Sequence, residues 1–261
     1  MKRFSLIVVT ALLVALVAGV SVQAAVYMKQ VTHTDAVQMM GQTQPESYDT
    51  AVMWYEGETA RSDVDDSLTV LVFLNDQRIA LLNNARKTYM YIPMNLDELV
   101  DMAPDDDAED GADAAATKDQ VKEMMNQVMG SMKVNVTKTD ETKKIADWDT
   151  RKYDVEMSIM GMPMNQEMWT TEDIEIDERL YQAANGAMLS MMPGMEDVMT
   201  EMMKVKGVPV YSVMTANMMG ASIKSTTELL EYKEADLPKG SFEIPSDYTE
   251  VDMRQQMMMG H

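Results

Sequence analysis

Apolar and polar side chains alternate strictly between residues 152 and 159, and this alternation constrains the fold more than any other feature of the sequence. A period of two is typical of a β-strand with one buried face. Gly161 and Pro163 then indicate a turn, and residues 164–176 predict a second, less regular strand. The apolar positions that share a face are Tyr153, Val155, Met157 and Ile159 in the first strand and Met164, Met168, Ile174 and Ile176 in the second. We therefore expect a β-hairpin with one face in a core.

Short strand-like segments recur at intervals of about ten residues along much of the remaining chain. They are residues 26–34, 50–56, 59–64, 68–74, 78–82, 87–92, 133–139, 207–215 and 222–232. Residues 42–46 are predicted as a loop, and residues 242–245 as a closing edge of the sheet. Such closely spaced strands, separated by turn residues, predict an antiparallel meander.

Methionine dominates the apolar faces of the predicted helices, and the chain contains 31 methionines in all. Residues 117–132 have helical periodicity and a face that carries Met124, Met125 and Met129. A further helix is predicted to begin at residue 177. The stripe that contains Met195, Met199 and Met202 is interrupted by Pro193-Gly194, so two short helices at an angle are expected there.

These patterns together predict an α+β protein that is mainly β. We expect a curved antiparallel sheet, or half-barrel, with Met-rich amphipathic helices on its concave side. Residues 25–261 are expected to form a single domain, since no linker divides them. Residues 101–119 are acidic, rich in alanine and poor in large apolar groups, and this composition predicts a disordered loop.

The N-terminus has the pattern of a secretory signal peptide. Lys2 and Arg3 precede an apolar run over residues 6–20, and Val22-Gln23-Ala24 supplies the small residues that a signal peptidase recognises. We expect cleavage after Ala24 and a periplasmic or secreted mature protein; the alternative is an uncleaved membrane anchor. The sequence has 0 cysteines, which excludes disulfides and a lipid-modified N-terminal cysteine.

The formal net charge of −21 limits the partners of this chain. Nucleic acids and anionic membrane surfaces carry the same sign of charge and would repel it. High acidity also serves solubility, or life in a saline habitat, and it leaves room for a cationic partner or a metal.

Enzymatic motifs are absent from the sequence. The two histidines are His33 and His261, and no nucleophile elbow, zinc-protease motif or phosphate-binding loop occurs. His33 is expected to be a solvated histidine on a strand. We predict a protein that is not an enzyme, with no catalytic residues and no cofactor.

Several segments, taken in order, resemble those of periplasmic lipoprotein carriers of the LolA/LolB type. The segments are residues 50–64, 87–89, 144–148 running into 152–155, 207–210 and 237–245. The chain is also similar to an uncharacterised secreted family with the same kind of sheet. The resemblance implies a curved antiparallel sheet wrapped around helices, an apolar cavity between them, and a non-enzymatic role. Without a lipid-modified cysteine, the membrane-receptor role of the LolB type is not expected.

The abundance of methionine is compatible with three interpretations. Methionine can simply fill a core, or it can line a cavity that accepts lipids, acyl chains or apolar polypeptide segments, because its flexible side chain adapts to varied shapes. For the cavity, the candidate ligand-binding residues are Met124, Met125, Met129, Met195, Met199 and Met202. The alternative is a Cu(I) site, since soft thioethers suit that ion. Its candidate ligands are Met157, Met160, Met162, Met164 and His261.

Overall fold

The computed structural model describes residues 25–39, 41–95, 98, 123, 127, 130–176, 180–181, 196–218 and 220–252. Its strands, in chain order, are β1 (Ala25–Thr34), β2 (Val37–Met39), β3 (Gln42–Gln44), β4 (Ser47–Glu56), β5 (Thr59–Val64), β6 (Leu68–Phe73), β7 (Arg78–Asn83), β8 (Thr88–Pro93), β9 (Lys133–Ile145), β10 (Trp148–Ile159), β11 (Met162–Thr171), β12 (Val208–Met218), β13 (Ala221–Ala235) and β14 (Thr249–Glu250). One helix, α1 (Glu196–Met202), has defined bounds among the described residues.

Twelve strands form one large, curved sheet in the order β14-β8-β7-β6-β5-β4-β1-β13-β12-β11-β10-β9. All neighbours pair antiparallel except β14, which pairs parallel to β8. The first strand, β1, lies in the middle of the sheet between β4 and β13. One meander runs outward from β4 to β8, and a second returns inward from the edge strand β9 to β13. The predicted antiparallel meander is therefore confirmed.

Alternation along each strand gives the sheet two different faces. The inner face is defined here by Met28, Met53, Val72, Val155 and Met168, all of which are buried. Its residues form two apolar clusters, a large one that spans β1, β4 to β8, β12 and β13 and a smaller one on β9 to β11. On the outer face, Leu71, Ala80 and Leu82 of β6 and β7 form a third apolar cluster, which the C-terminal segment covers.

That covered part of the outer face explains a difference from the sequence prediction. Residues 242–245 are not a strand at the sheet edge; Phe242 and Ile244 instead lie against Leu71, Ala80 and Leu82. The edge is closed by β14. The predicted loop at residues 42–46 also differs, because β3 pairs with β2 in a small separate hairpin.

The hairpin predicted from the alternation at residues 152–159 is confirmed, but its turn is displaced by one or two residues. Ile159 pairs with Met162, so the turn consists of Met160 and Gly161, with φ angles of 51° and 79°. Pro163 is not in the turn; it lies within β11, opposite Ser158. Alternation is as predicted, with Tyr153 and Val155 each 1% exposed on the inner face.

The expectation of several Met-rich helices on the concave side is not supported. Among the described residues, helix with defined bounds is limited to the seven residues of α1, and isolated helical positions occur at 98, 123, 127, 130, 180 and 181. Most of the helix predicted at residues 117–132, and of the helix predicted from residue 177 to about residue 190, lies outside the described residues, as do the acidic segment 101–119 and the predicted signal peptide 1–24. The structure also describes no helix whose length and hydropathy suit a membrane span.

Candidate functional site

A long excursion of the chain separates two strands that are neighbours in the sheet. β11 ends at Thr171 and β12 begins at Val208, yet the two strands pair antiparallel over eight register positions. Neighbouring antiparallel strands need only a short turn, and long connections usually have a functional role. The excursion contains α1, which lies against the inner face near β9 to β12. The excursion, residues 172–207, is called the cover below, because α1 lies over one part of the sheet.

A cavity of about 570 Å³ lies where this excursion meets the inner face. The volume is within the range of about 300–1,000 Å³ that is typical of small-molecule sites. The cavity is lined by Gln30, Gln166, Met168, Glu172, Ile174, Ile176, Tyr181, Val198, Met199, Met202, Met203, Val205, Lys206, Gly207, Val208, Pro209, Val210, Tyr211, Ser212, Thr227 and Leu229.

The floor of the cavity is formed by aliphatic and thioether side chains of the sheet. Met168 on β11, Val208 and Val210 on β12 and Leu229 on β13 are all less than 9% exposed. The register places Met168 opposite Ser212 and Ser212 opposite Thr227, so these residues share the inner face. Strand alternation thus accounts for the apolar floor.

The helix α1 supplies one wall through residues at helical spacing. Val198 and Met202 lie four positions apart in α1, so they share one helix surface. Met199 and Met203, the residue directly after α1, have the same spacing and lie beside them. Val198 is buried, Met202 contacts the smaller apolar cluster of the inner face, and Met203 is 52% exposed at the rim. The wall therefore consists mainly of flexible thioether side chains.

Hydrogen bonds attach the last part of the cover, residues 201–206, to β9 and β11 of the sheet. The Glu201 carboxylate accepts a hydrogen bond from the backbone N–H of Val136 on β9 at 3.0 Å. Its other oxygen accepts one from the Lys204 ammonium at 2.5 Å. These two donors, the lysine first, hold the pKa of Glu201 below its ordinary value. Farther along, the Thr170 hydroxyl donates to the Lys206 carbonyl at 2.6 Å.

Gly207 makes the return of the cover to the sheet possible. Its φ angle is +81°, and a Cβ atom at this position would lie 2.2 Å from the carbonyl oxygen of Thr171. Only a residue without a side chain permits this approach. The start of β12 is thereby held against the end of β11, directly beside the cavity floor.

A few polar groups line one side of the cavity. Gln30, Gln166, Ser212 and Thr227 belong to the sheet, and Glu172 and Lys206 belong to the cover. The hydroxyls of Thr227 and Thr32 are hydrogen-bonded at 3.0 Å, and those of Ser225 and Thr34 likewise. These pairs continue a polar track along the inner face of β1 and β13. The cavity therefore combines an apolar floor and wall with hydrogen-bonding groups on one side, of which Glu172 and Lys206 are charged.

Tyr181 also lines the cavity, and it comes from the described part of the excursion. Burial raises the pKa of its phenol well above the ordinary value, and Tyr55, whose ring centre is 6.0 Å away, adds to the shift. The phenol is therefore neutral across the physiological range and can contribute a hydrogen bond but no charge.

A second concavity lies at β9 to β11, and charged side chains line it. Lys143 and Arg151 line it together with Asp149, Glu172 and Asp173. The Lys143 ammonium lies 3.8 Å from the centre of the Trp169 ring. Trp169 follows Met168 in β11, so it lies on the outer face. Because Lys143 already contacts an aromatic ring and Arg151 already donates to the Thr139 carbonyl, the first cavity is the stronger candidate for a binding site.

The structure brings only some of the predicted ligand-binding residues to the cavity. Met199 and Met202 line it, whereas Met124, Met125, Met129 and Met195 lie outside the described residues. Sequence reasoning did not assign Met168, Val210 or Leu229 to the site. The alternation of their strands predicts that they are buried, but only the pairing of β11, β12 and β13 brings them together.

The predicted metal ligands lie away from this cavity. Met157, Met160, Met162 and Met164 are on the β10–β11 hairpin, and His261 lies outside the described residues. Among the residues that the structure describes, no group of three or more His, Cys, Asp or Glu side chains could hold a metal ion. His33 stacks on Tyr48 with ring centres 4.4 Å apart, and its Nε2 atom lies 3.3 Å from Glu46.

Comparison with known proteins adds one match. The model of the family described as "Domain of unknown function (DUF4412)" matches residues 113–248, slightly more than half of the 261 residues. The matched region contains β9 to β13, α1 and every residue that lines the cavity except Gln30. No curated protein matches the chain.

Proposed function

Since the chain belongs to the DUF4412 family, whose function is unknown, we propose its function from the cavity itself: it binds an apolar ligand between α1 and the inner face. The ligand is a lipid, an acyl chain or an apolar polypeptide segment. The role is that of a non-enzymatic carrier, as in the LolA/LolB type of protein. The signal-peptide pattern of residues 1–24 supports a periplasmic or secreted location.

The observation that carries this proposal is the composition of the cavity. A volume of about 570 Å³ is enclosed by Met168, Val208, Val210 and Leu229 on the sheet side and by methionines on the helix side. Apolar walls of this kind gain free energy when they leave water, at roughly 25 cal/mol per Å² of apolar surface. An apolar ligand that fills the cavity would supply that burial.

Methionine gives the helix wall the flexibility that a carrier needs. Met199, Met202 and Met203 each have an unbranched, polarisable side chain that can follow ligands of different shapes. A leucine wall of similar volume would be more rigid. We therefore expect broad selectivity among apolar chains rather than recognition of a single molecule.

The polar side of the cavity suggests how the ligand is oriented. Gln30, Ser212 and Thr227 can donate and accept hydrogen bonds but carry no charge. A ligand with an apolar body and a small hydrogen-bonding group satisfies both sides of the cavity. We expect the hydrogen-bonding head group of the ligand, which is the carboxyl group in a fatty acid, to face β1 and β13.

A fluorescent fatty-acid analogue tests the proposal on the chain without residues 1–24. We expect saturable binding of one probe per chain and displacement by unlabelled fatty acids. Met199→Lys places an ammonium in the cavity wall and should weaken binding by more than about tenfold, because a charge is costly to bury beside an apolar ligand. Met160→Lys is the matched control, since Met160 is 64% exposed and lies outside the cavity lining. Absence of saturable binding, or equal losses in both variants, would overturn the proposal.

A further inference from the structure

We propose that the β10–β11 hairpin carries a second, separate site, which binds Cu(I) through the thioether sulfurs of Met157, Met162 and Met164. The site does not depend on the apolar cavity, because none of these three residues lines it. Copper enters as the monovalent ion and is bound as such, so no electron transfer is involved.

The register of the hairpin brings the three methionines to one face. Met157 lies directly opposite Met164, and Ile159 lies directly opposite Met162. Since side chains alternate along a strand, Met157, Ile159, Met162 and Met164 share the inner face. Directly opposite residues have Cβ atoms about 4.5–5.5 Å apart, and diagonal neighbours are separated by about 7–8 Å. Flexible methionine side chains can converge over these distances on one ion.

The turn fixes this register. Met160 and Gly161 have φ angles of 51° and 79°, as a two-residue hairpin turn with two left-handed residues requires. The backbone N–H of Met160 also donates to the Ser131 hydroxyl at 3.1 Å, which ties the turn to the start of β9. The methionines are therefore held on a regular, well-defined hairpin rather than on a loose loop.

Core packing accounts for Met157, which lies against the smaller apolar cluster, but not for the methionines nearest the turn. Met160 is 64% exposed and Met162 is 38% exposed, whereas Met28 and Met53 in the core are at most 5% exposed. An exposed thioether gains little from burial, and methionine is not a favoured strand residue. On the neighbouring strand, the residue opposite Met164 is Ala216, which has a small side chain.

The chemistry of the surrounding side chains selects a soft ion. Val155 and Gln166 form the next cross-strand pair on the same face, and Glu156 and Asn165, opposite each other, lie on the other face. Uncharged thioether ligands favour Cu(I), while hard cations require carboxylate or carbonyl oxygens. The net charge of −21 further raises the concentration of cations near the surface. The set of ligands therefore fits Cu(I) better than calcium, magnesium or zinc.

Competition against a chromogenic Cu(I) chelator under reducing, anaerobic conditions tests the site on the chain without residues 1–24. We expect one Cu(I) per chain. Replacing one ligand, as in Met162→Leu, should weaken binding by about tenfold or more, since even changes outside the ligand shell cost 10–100-fold in metal sites. Met90→Leu is the matched control, because Met90 is a partly buried methionine on β8 that lies outside both the hairpin and the cavity lining.

X-ray absorption at the copper edge gives a second measurement that does not depend on any variant. Sulfur-only coordination is expected. Coordination by nitrogen or oxygen, absence of Cu(I) uptake by the wild-type chain, or equal affinity in Met162→Leu and wild type would each overturn the proposal. The fatty-acid assay is unaffected by these outcomes, so failure of the copper site is distinguishable from failure of the apolar cavity.

Discussion

The backbone N–H of Val136 donates a hydrogen bond to the carboxylate of Glu201, and the two atoms are 3.0 Å apart. Val136 belongs to β9, which pairs with β10 and forms one edge of the sheet in the part of the chain that the structure describes. Unpaired N–H groups on an edge strand are sites for unwanted pairing with other chains. The Glu201 carboxylate therefore satisfies an N–H group of the edge strand and also holds the cover in place.

This contact predicts an acid-sensitive cover. The pKa of Glu201 is lowered in the folded chain, so its ionised form stabilises the fold above the ordinary value of 4.5 and that contribution is lost as the pH falls through the lower, folded value. Hydrogen exchange of the Val136 amide should accelerate in this acid range, after correction for intrinsic rates. In Glu201→Gln the protection should be weaker at neutral pH and should lack this acid-dependent step. An identical pH profile in both proteins would contradict the prediction.

Gly207→Ala should destabilise the chain severely. The new methyl group would lie 2.2 Å from the Thr171 carbonyl oxygen, and the φ angle of +81° is unfavourable for alanine. Gly220→Ala is the control, since φ is +80° there but nothing lies within 4 Å of the added Cβ. Backbone strain alone costs about 1 kcal/mol, so the control should lose about that amount and Gly207→Ala clearly more. Equal denaturant midpoints for the two variants would show that the close approach is not rigid.

Phe242→Ala should lower stability by about 2 kcal/mol, because the ring covers Leu71, Ala80 and Leu82 on the outer face. Tyr48→Ala removes an aromatic ring that is 63% exposed and should change stability far less. Urea unfolding measures both changes. A small effect of Phe242→Ala would mean that the C-terminal segment contributes little to the fold.

Tyr153→Phe should leave stability unchanged or raise it. The Tyr153 side chain is 1% exposed, and its hydroxyl has no hydrogen-bond partner among the described residues. An unsatisfied buried polar group costs about 1–3 kcal/mol, and phenylalanine removes it without changing the ring. By contrast, the Tyr55 hydroxyl donates to the Met53 sulfur at 3.3 Å, so Tyr55→Phe should be neutral or destabilising. Thermal unfolding of the two variants provides the comparison; a lower Tm for Tyr153→Phe would reveal a partner for its hydroxyl.

The Met199→Leu variant tests whether Met199 adapts to bound ligands as part of the cavity wall or only packs as an ordinary core residue. The exchange nearly conserves volume, so its cost in stability should be less than about 1.5 kcal/mol. If Met199 adapts to bound chains, the leucine variant should bind a narrower range of fatty-acid lengths than wild type. Unchanged selectivity in the displacement assay would assign Met199 to packing alone.

Most of the sheet was predictable because its determinants are local. Alternation in residues 152–159 and the turn residues elsewhere depend only on neighbours in the chain, and the strand predicted at 59–64 has the same bounds as β5. The sequence predictions were wrong where tertiary contacts determine the local structure. Phe242 and Ile244 have the composition of a strand, but they cover an apolar face instead of pairing with an edge.

The candidate site was less predictable for a related reason. Helical spacing singles out Met199 and Met202, and both line the cavity. The spacing does not reveal that Met168, Val210 and Leu229 lie opposite them, since these residues come from three different strands. Their meeting depends on the register between β11, β12 and β13, which is set by cross-strand hydrogen bonds and bulges.

By itself, the sequence determined that the chain forms strands, which residues of each strand face a core, and that methionine supplies much of its apolar surface. These properties follow from side-chain periodicity and composition. The tertiary structure decided that β1 lies in the middle of the sheet, that α1 covers the inner face, and that Met157 lies opposite Met164. Those relationships join residues distant in sequence, because pairing energy depends on the whole sheet and not on any one segment of it.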